Sequence, residues 1–588
     1  MVEQALVEQR AQAAAFRRCE VTGFRVHRAA ERLITVNAVT AVAFLALGGA
    51  LALLIALTRW QAVHLLPAEW FYRFVTAHGT TMLVFWMVFF EVAGLYFGGA
   101  VLLNARLVGP KAAWTAYGLM LAGAVMAEAV MLSGRSTVML TAYPPLKGHP
   151  LFYLGLLLFA VGALVAVVLF LATVLNARRE GVVTGSLPLV TYAFVAAAVL
   201  AVFALLSGAM ALIPTFAWSM GWIPSVDPAF YRLLFWGFGH GSQQVNLAAM
   251  VGVWYALASL TTGARPVHEG LSRVAFLLYV LFIQLGSIHH LLVDPGLGTS
   301  NRIMNTSYFL YLAVLASLIH AFSIPGAVEV AQRERGFGAG LFGWLRRAPW
   351  GEPGFSALAL SFVIFGFLAG VSGVLIGTMQ LNMLVHNTLA VPGHFHATVV
   401  AGTTLAFMGI TYYLLPLITR RQLVGLGVAR VQPWVFAGGL TLLVGGMLLT
   451  GRLGLPRRVW DITYSQATVP VPGFDGLPVQ LGLALVGIGG VVSVIGGALF
   501  VGVALATLLA GRTSPNPVEG LRLALAANPG LGATGEQPPA AGDRWGRVGL
   551  LNGFHAPGTL ALCFLFLAWF AVSYAVAWVG LSRTWWVS

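Results

Sequence analysis

Six histidines stand at spacings that suit metal cofactors: His78, His240, the adjacent His289 and His290, and His394 and His396 within Val391-Pro392-Gly393-His394-Phe395-His396. On an α-helix, positions i and i+2 point about 200° apart. His394 and His396 therefore address opposite faces and cannot share one ion. Each can serve a different planar cofactor flanking the helix, and neutral imidazole is an axial ligand of heme iron. His78 is the natural second ligand for one of the two irons. That iron is then six-coordinate and suited to electron transfer, while the other is five-coordinate and open to substrate. Three imidazoles from two neighbouring segments, His240 with His289 and His290, suit copper with a vacant position toward the open iron. A lone histidine in a membrane span is as well explained by a hydrogen bond to a neighbouring carbonyl. Six at these spacings are not.

The elements that must position them are membrane helices. Of 588 residues, 59% are hydrophobic and only 9% charged, against roughly a quarter charged in soluble domains. About thirteen apolar segments are long enough to cross a bilayer, each needing about 20 residues. The expectation is an all-α, polytopic transmembrane bundle of about thirteen spans, forming one domain over residues 1–588. Lys+Arg number 33 against 19 Asp+Glu, which raises a nucleic-acid reading. The distribution argues against it. With the N-terminus inside, roughly two thirds of the basic residues, among them Arg17, Arg18, Arg178, Arg179, Arg346, Arg347, Arg420 and Arg421, fall on the cytoplasmic side, as the positive-inside bias requires. The surplus reports orientation in a cell (inner) membrane, not a nucleic-acid partner.

Residues 1–32 are charged and Ala-rich and carry no evident cleavable signal; they read as a cytoplasmic segment. Residues 511–548, with Pro515, Pro517, Pro529, Pro538 and Pro539, read as a flexible cytoplasmic linker before the last span. Residues 331–354 form a second, basic linker. Cys19 and Cys563 are isolated, so any covalently attached heme or binuclear copper centre must sit on another subunit.

Taken together, the chain resembles the catalytic subunit of the heme–copper oxidase superfamily, closest to its B-type branch. The resemblance rests on Ala77-His78-Gly79, Tyr143-Pro144-Pro145-Leu146-Lys147-Gly148-His149, Gly239-His240, His289-His290 with Asp294-Pro295-Gly296, His386-Asn387-Thr388 through His396, and Pro456-Arg457-Arg458. It implies that His78 and His396 ligate a low-spin heme (b-type) and that His394 is the proximal ligand of a high-spin heme (b- or a-type). It further implies that His240, His289 and His290 hold copper, and that Arg457 and Arg458 bridge heme propionates, as guanidinium groups pair with carboxylates. The bland reading of the two arginines is charged-loop residues. His386 is a candidate for a propionate contact or a partner subunit; His149 and His320 read as loop or helix-end residues. The implied partners are a cupredoxin-like or cytochrome c-containing subunit II and a periplasmic donor such as cytochrome c.

One position departs from the oxygen-reducing members, which carry a tyrosine four residues after the first copper ligand. One helical turn brings the two side chains together. There the tyrosine supplies the fourth electron and a proton for splitting dioxygen. Here the stretch reads His240-Gly241-Ser242-Gln243-Gln244, and a carboxamide hydrogen-bonds but has no accessible ionisation. The stretch before His289, Gln284-Leu285-Gly286-Ser287-Ile288, has no tyrosine either, and Tyr279 is nearly three turns upstream. Joining two nitric oxide molecules needs only two electrons and two protons. Gln244 also replaces the glutamate by which the familiar nitric oxide reductases bind a non-heme iron, which favours copper. The expected activity is nitric oxide reduction to nitrous oxide. The alternative is a B-type cytochrome c oxidase reducing dioxygen to water with proton pumping. A metal or solute transporter with a histidine-lined path is the rival from another class.

Tyr255, three turns beyond Gln244 on the same face, matches a proton-channel tyrosine of the B-type branch; Ser317 and His320 are candidates to continue that route. Asn382 stands where those members carry an aspartate near a propionate. Glu91 and Glu128 are candidates for a proton path or for hydrogen bonds between helices.

Overall fold

Every apolar segment that the hydropathy marks, except one, becomes a helix long enough to cross a membrane. The structure, a computed structural model, describes residues 15–283, 285–465, 467–469, 472–523 and 556–584. Twelve helices qualify by length and apolarity: α1 (Arg28–Arg59), α2 (Ala68–Val101), α3 (Pro110–Leu132), α4 (Pro150–Arg179), α5 (Leu189–Ser219), α6 (Pro228–Thr262), α8 (Thr299–Glu334), α9 (Pro353–Gly377), α10 (Ala390–Thr419), α11 (Leu426–Arg452), α12 (Leu477–Ala510) and α13 (Pro557–Arg583). The remaining expected span is broken. It begins as α7 (Glu269–Leu278), continues as a π-helical stretch (Tyr279–Ile283) and ends as a 3-10 segment (Gly286–Leu291). Its tighter last turns stop at Asp294-Pro295-Gly296, where Gly296 takes φ 119°.

Local chemistry sets the helix that matters most. Asp227 caps α6, its carboxylate accepting from Phe230 N at 2.7 Å. Pro228 follows at the first helical position, and Gly263 ends the helix in the left-handed region, the usual proline-in, glycine-out asymmetry. Helices that follow one another in the chain pack pairwise, most extensively α3 with α4, α5 with α6 and α11 with α12. In the last pair the backbones nearly touch: a Cβ on Gly489 would meet Leu443 N, and one on Gly446 would meet Gly482 O. Small residues at helix interfaces allow this approach inside a bilayer.

Three features lie outside an all-α expectation with a loose linker. A two-stranded antiparallel hairpin, β1 (Phe16–Arg18) with β2 (Arg25–His27), precedes α1, so only residues 15–27 of the expected N-terminal segment are described outside a helix. The start of the expected 511–548 linker is packed rather than loose. Gln422 N donates to Arg512 O, Leu423 N to Pro517 O, and Arg522 N to Glu352 Oε2. Residues 524–548 lie outside the described residues. Finally, the helices are not uniformly α. Stretches of π-helix occur at Thr81–Trp86 and Phe97–Val101 in α2, Phe365–Gly370 in α9 and His396–Thr404 in α10, and such bulges concentrate at functional sites.

Candidate metal centres

α10 carries two of the six histidines, and its neighbours take up one each. His396 faces α2, where its ring lies parallel to that of His78, with centroids 6.5 Å apart and 17° between planes. An imidazole nitrogen binds a first-row metal at about 2 Å and sits roughly 1 Å from its ring centre. Two rings on opposite sides of one ion are therefore separated by roughly 6 Å, and the observed gap fits a single six-coordinate metal. The other ring nitrogens are already engaged. His78 Nδ1 donates to Gly48 O at 2.9 Å and His396 Nδ1 to Pro392 O at 2.7 Å. Holding Nδ1 in this way fixes the tautomer and leaves Nε2 for a metal.

His394 turns the other way, toward α9. Its Nδ1 meets Ser372 Oγ at 3.1 Å, and the ring lies so close to α9 that a Cβ on Gly373 would be 2.9 Å from its Cε1. The face that remains open borders a cavity of about 720 Å³. The same cavity is bordered by His240, His289, His290 and Gln244. Its size is within the usual range for cofactor sites, about 300–1,000 Å³.

His240, His289 and His290 form the one cluster of metal-ligand type found among the described residues, with ligand atoms all within 4.8 Å of one another and no carboxylate among them. Nitrogens about 2 Å from a shared ion lie at most roughly 4 Å apart, so small ring rotations close the triad on a metal. Several neighbours hold it. His289 Nδ1 donates to Gly286 O at 2.6 Å. Trp236, one turn before His240, stacks on His290 at 3.6 Å with 6° between planes. Arg232, a further turn back, makes two 2.7 Å bonds to Asp294 and so ties α6 to the segment that follows His290. Gln244 meets His240 directly: its Nε2 donates to His240 Nε2 at 2.8 Å, while its Oε1 is buried with no partner. Rotating the amide presents Oε1 instead, which accepts from a protonated Nε2 and leaves Nδ1 free for a metal. The carboxamide can thus serve the ring in either tautomer.

At one end of these sites the loop after α11 meets the loop before α10. Thr388 bridges Pro456, Leu389 N donates to Leu455 O, and Arg457 N donates to Asn387 O at 2.8 Å. Arg458 reaches Thr141 Oγ1 at 2.7 Å. Arg457 is a half-buried cation whose Nε is out of reach of solvent and has no partner; burial first, then the adjacent Arg458, pulls its pKa down to about 10. The guanidinium groups of Arg232 and Arg458 both lie over the ring of Tyr143, whose hydroxyl accepts a 2.6 Å bond from Trp236 Nε1. A half-buried, incompletely paired cationic cluster of this kind fits acidic groups on a cofactor.

Tyr255 bonds to Ser272 Oγ at 2.9 Å and His320 Nδ1 at 3.0 Å, and Ser272 bonds to Ser323 at 3.3 Å. His320 is therefore not a loop or helix-end residue: it is 1% exposed in the middle of α8. Tyr279 bonds to Ser317 Oγ at 3.0 Å, and both line the cavity with His320. His149 does end a helix, accepting from Leu151 N at the start of α4. Asn382 is buried and donates to Ile376 O at 2.5 Å. Trp236, Arg232, Ser372 and Gly373 were not anticipated. The first two were detectable as the i−4 and i−8 positions before His240, whereas the last two lie on a helix with no sequence link to His394.

Residues 32–509 match the family described as Cytochrome C and Quinol oxidase polypeptide I. The chain is 34% identical over 425 residues to cytochrome c oxidase subunit 1 of Thermus thermophilus, spanning 69% of this chain and 73% of that one. It is 25% identical over 433 residues to the alternative cytochrome c oxidase subunit 1 of Bradyrhizobium diazoefficiens, covering 68% and 69%. A chain from the cryo-EM structure of a heme–copper terminal oxidase dimer superposes with a TM-score of 0.76 over 93% of this chain and 91% of that one; at 23% identity this shows the shared fold. With its membrane helices and paired histidines in place, the chain belongs to the heme–copper oxidase subunit I family.

Proposed function

We propose that this subunit reduces nitric oxide to nitrous oxide. The carrying observation is Gln244, which occupies the position one turn after His240 and hydrogen-bonds that imidazole at 2.8 Å. In this reading His78 and His396 hold a low-spin b-type heme, and His394 a high-spin heme of b or a type. His240, His289 and His290 hold copper, and Arg457 and Arg458 pair with propionates. When bound, these groups supply electrons and an open site for a diatomic gas. The chain's own residues do the rest.

Gln244 orients His240 and closes one side of the cavity, but it has no hydrogen atom or electron that is easily given up. The balance 2 NO + 2 e⁻ + 2 H⁺ → N₂O + H₂O asks for no protein radical. Cleaving dioxygen asks for a fourth electron beside the metals, and Tyr279, the tyrosine lining the cavity, has its hydroxyl engaged by Ser317. Tyr255, with Ser272, Ser323 and His320, forms a hydrogen-bonded route for protons toward the cavity. The three-imidazole cluster, without a carboxylate, favours copper over a non-heme iron. Electrons come from a cupredoxin-like or cytochrome c-containing subunit II. The Lys and Arg distribution supports an N-terminus in the cytoplasm, for a subunit of the cell membrane.

A second reading, a B-type cytochrome c oxidase, is favoured by the name of the 34%-identical Thermus relative. The deciding experiment follows nitric oxide consumption by the purified complex under anaerobic conditions beside an oxygen-electrode trace. Nitric oxide loss with one nitrous oxide formed per two consumed is expected. Rapid oxygen uptake with only slow nitric oxide loss would overturn the proposal in favour of the oxidase.

A further inference from the structure

α6 presents two opposite faces. His240, Gln243, Gln244 and Leu247 border the large cavity, while Ser242, Val245, Asn246 and Ala249 border a second, small void. At 100° per residue these sets point about 180° apart. The small void, about 40 Å³, is enclosed by α2, α4, α5 and α6, and nearly all of its lining is apolar. Three polar side chains, Glu91, Asn246 and Ser242, break that pattern. Glu91, on the same helix as His78, is 7% exposed and has no partner for Oε1; Asn246 is 2% exposed and has no partner for Nδ2. Ser242 Oγ donates to Gly239 O at 3.0 Å and keeps acceptor capacity.

A dry void would leave Glu91 and Asn246 unsatisfied, at about 1–3 kcal/mol each. Water fits instead. A site needs roughly 10–15 Å³ of this kind of volume and two to four polar partners per molecule, and the void exceeds the first requirement while Glu91, Asn246 and Ser242 meet the second. We propose that the void is a hydrated site in which an ordered water joins the Glu91 carboxyl on α2 to the Asn246 amide on α6. Glu91 then answers, through that water, to charge changes on the opposite face of α6, where His240 stands. Asn246 is a positioning residue and water is the ligand. The inference rests on His240 facing the metal centre and is independent of which gas is reduced.

Redox-difference infrared spectra of the intact complex test it. A carboxyl band assigned to Glu91 by its loss in Glu91→Gln is expected to shift in D₂O and to shift again in Asn246→Leu. A band insensitive to D₂O, or unmoved by Asn246→Leu, would overturn the proposal, as would spectra identical in Glu91→Gln and the unchanged chain. If either variant fails to assemble, a high-resolution cryo-EM map of the unchanged complex decides. Density for a water within hydrogen-bond reach of both Glu91 and Asn246 is expected, and an empty void overturns the site. None of these readouts depends on nitric oxide or oxygen turnover, so their failure leaves the proposed activity standing.

Discussion

Gln244→Leu keeps a side chain of similar bulk, one bond shorter, but deletes the carboxamide that meets His240 at 2.8 Å. The imidazole then loses the group that holds its orientation and accommodates its tautomer. Losing a buried hydrogen bond costs about 1–3 kcal/mol. Taking about 2 kcal/mol, and 1.4 kcal/mol per tenfold change, copper should bind roughly 30-fold more weakly. That lies inside the roughly 10–100-fold range for removing an outer partner of a metal-bound imidazole. The assay is competition with a graded copper chelator, read as metal content per complex, with the heme absorbance as an internal control. Gln244→Glu is the companion variant: its carboxylate accepts from His240 Nε2–H and should retain copper. The reasoning is refuted if Gln244→Leu holds copper as tightly as the unchanged chain, or if Leu and Glu weaken it alike.

Three further outcomes are expected. His394→Ala should abolish turnover and spare the low-spin heme spectrum, whereas His78→Ala should remove the low-spin bands; loss of those bands in His394→Ala would reverse the ligand assignment. Glu329 is fully buried, pairs with Arg333 and accepts from Gly558 N and Thr559 N at 3.0 and 2.6 Å. Glu329→Ala should therefore loosen the start of α13 by about 1.5–3 kcal/mol for each hydrogen bond to the carboxylate that is lost, seen as faster maleimide labelling of Cys563; an unchanged labelling rate would contradict it. Burial, then Arg457, pulls the pKa of His386 down from 6.5 to about 4. The unfolded chain takes up that proton first, so the folded state loses stability as pH falls from 6.5 to about 4 and no further below. Hydrogen exchange in residues 378–389 should quicken over that window and lose this dependence in His386→Gln.

The sequence by itself determined the class of fold and singled out the six histidines that are proposed here as metal ligands. Continuous apolar segments of about 20 residues admit a helical bundle because each must satisfy its backbone within itself in a bilayer, and barrel strands are about half that length. The i, i+2 spacing of His394 and His396 forbids a shared ion whatever the partners, and the His240–Gln244 contact follows from one helical turn. Tertiary structure alone decided which ring faces which. The parallel pairing of His78 with His396, the seat of His394 against Gly373 and Ser372, and the stacking of Trp236 on His290 all join residues from separate helices. No local pattern encodes such contacts. The seventh segment lost its regular helix to π and 3-10 turns, and His320 proved to be buried against Tyr255. In both cases packing against neighbouring helices outweighed what the local sequence favours, since in a bundle the backbone adjusts its pitch to bring side chains to a shared site.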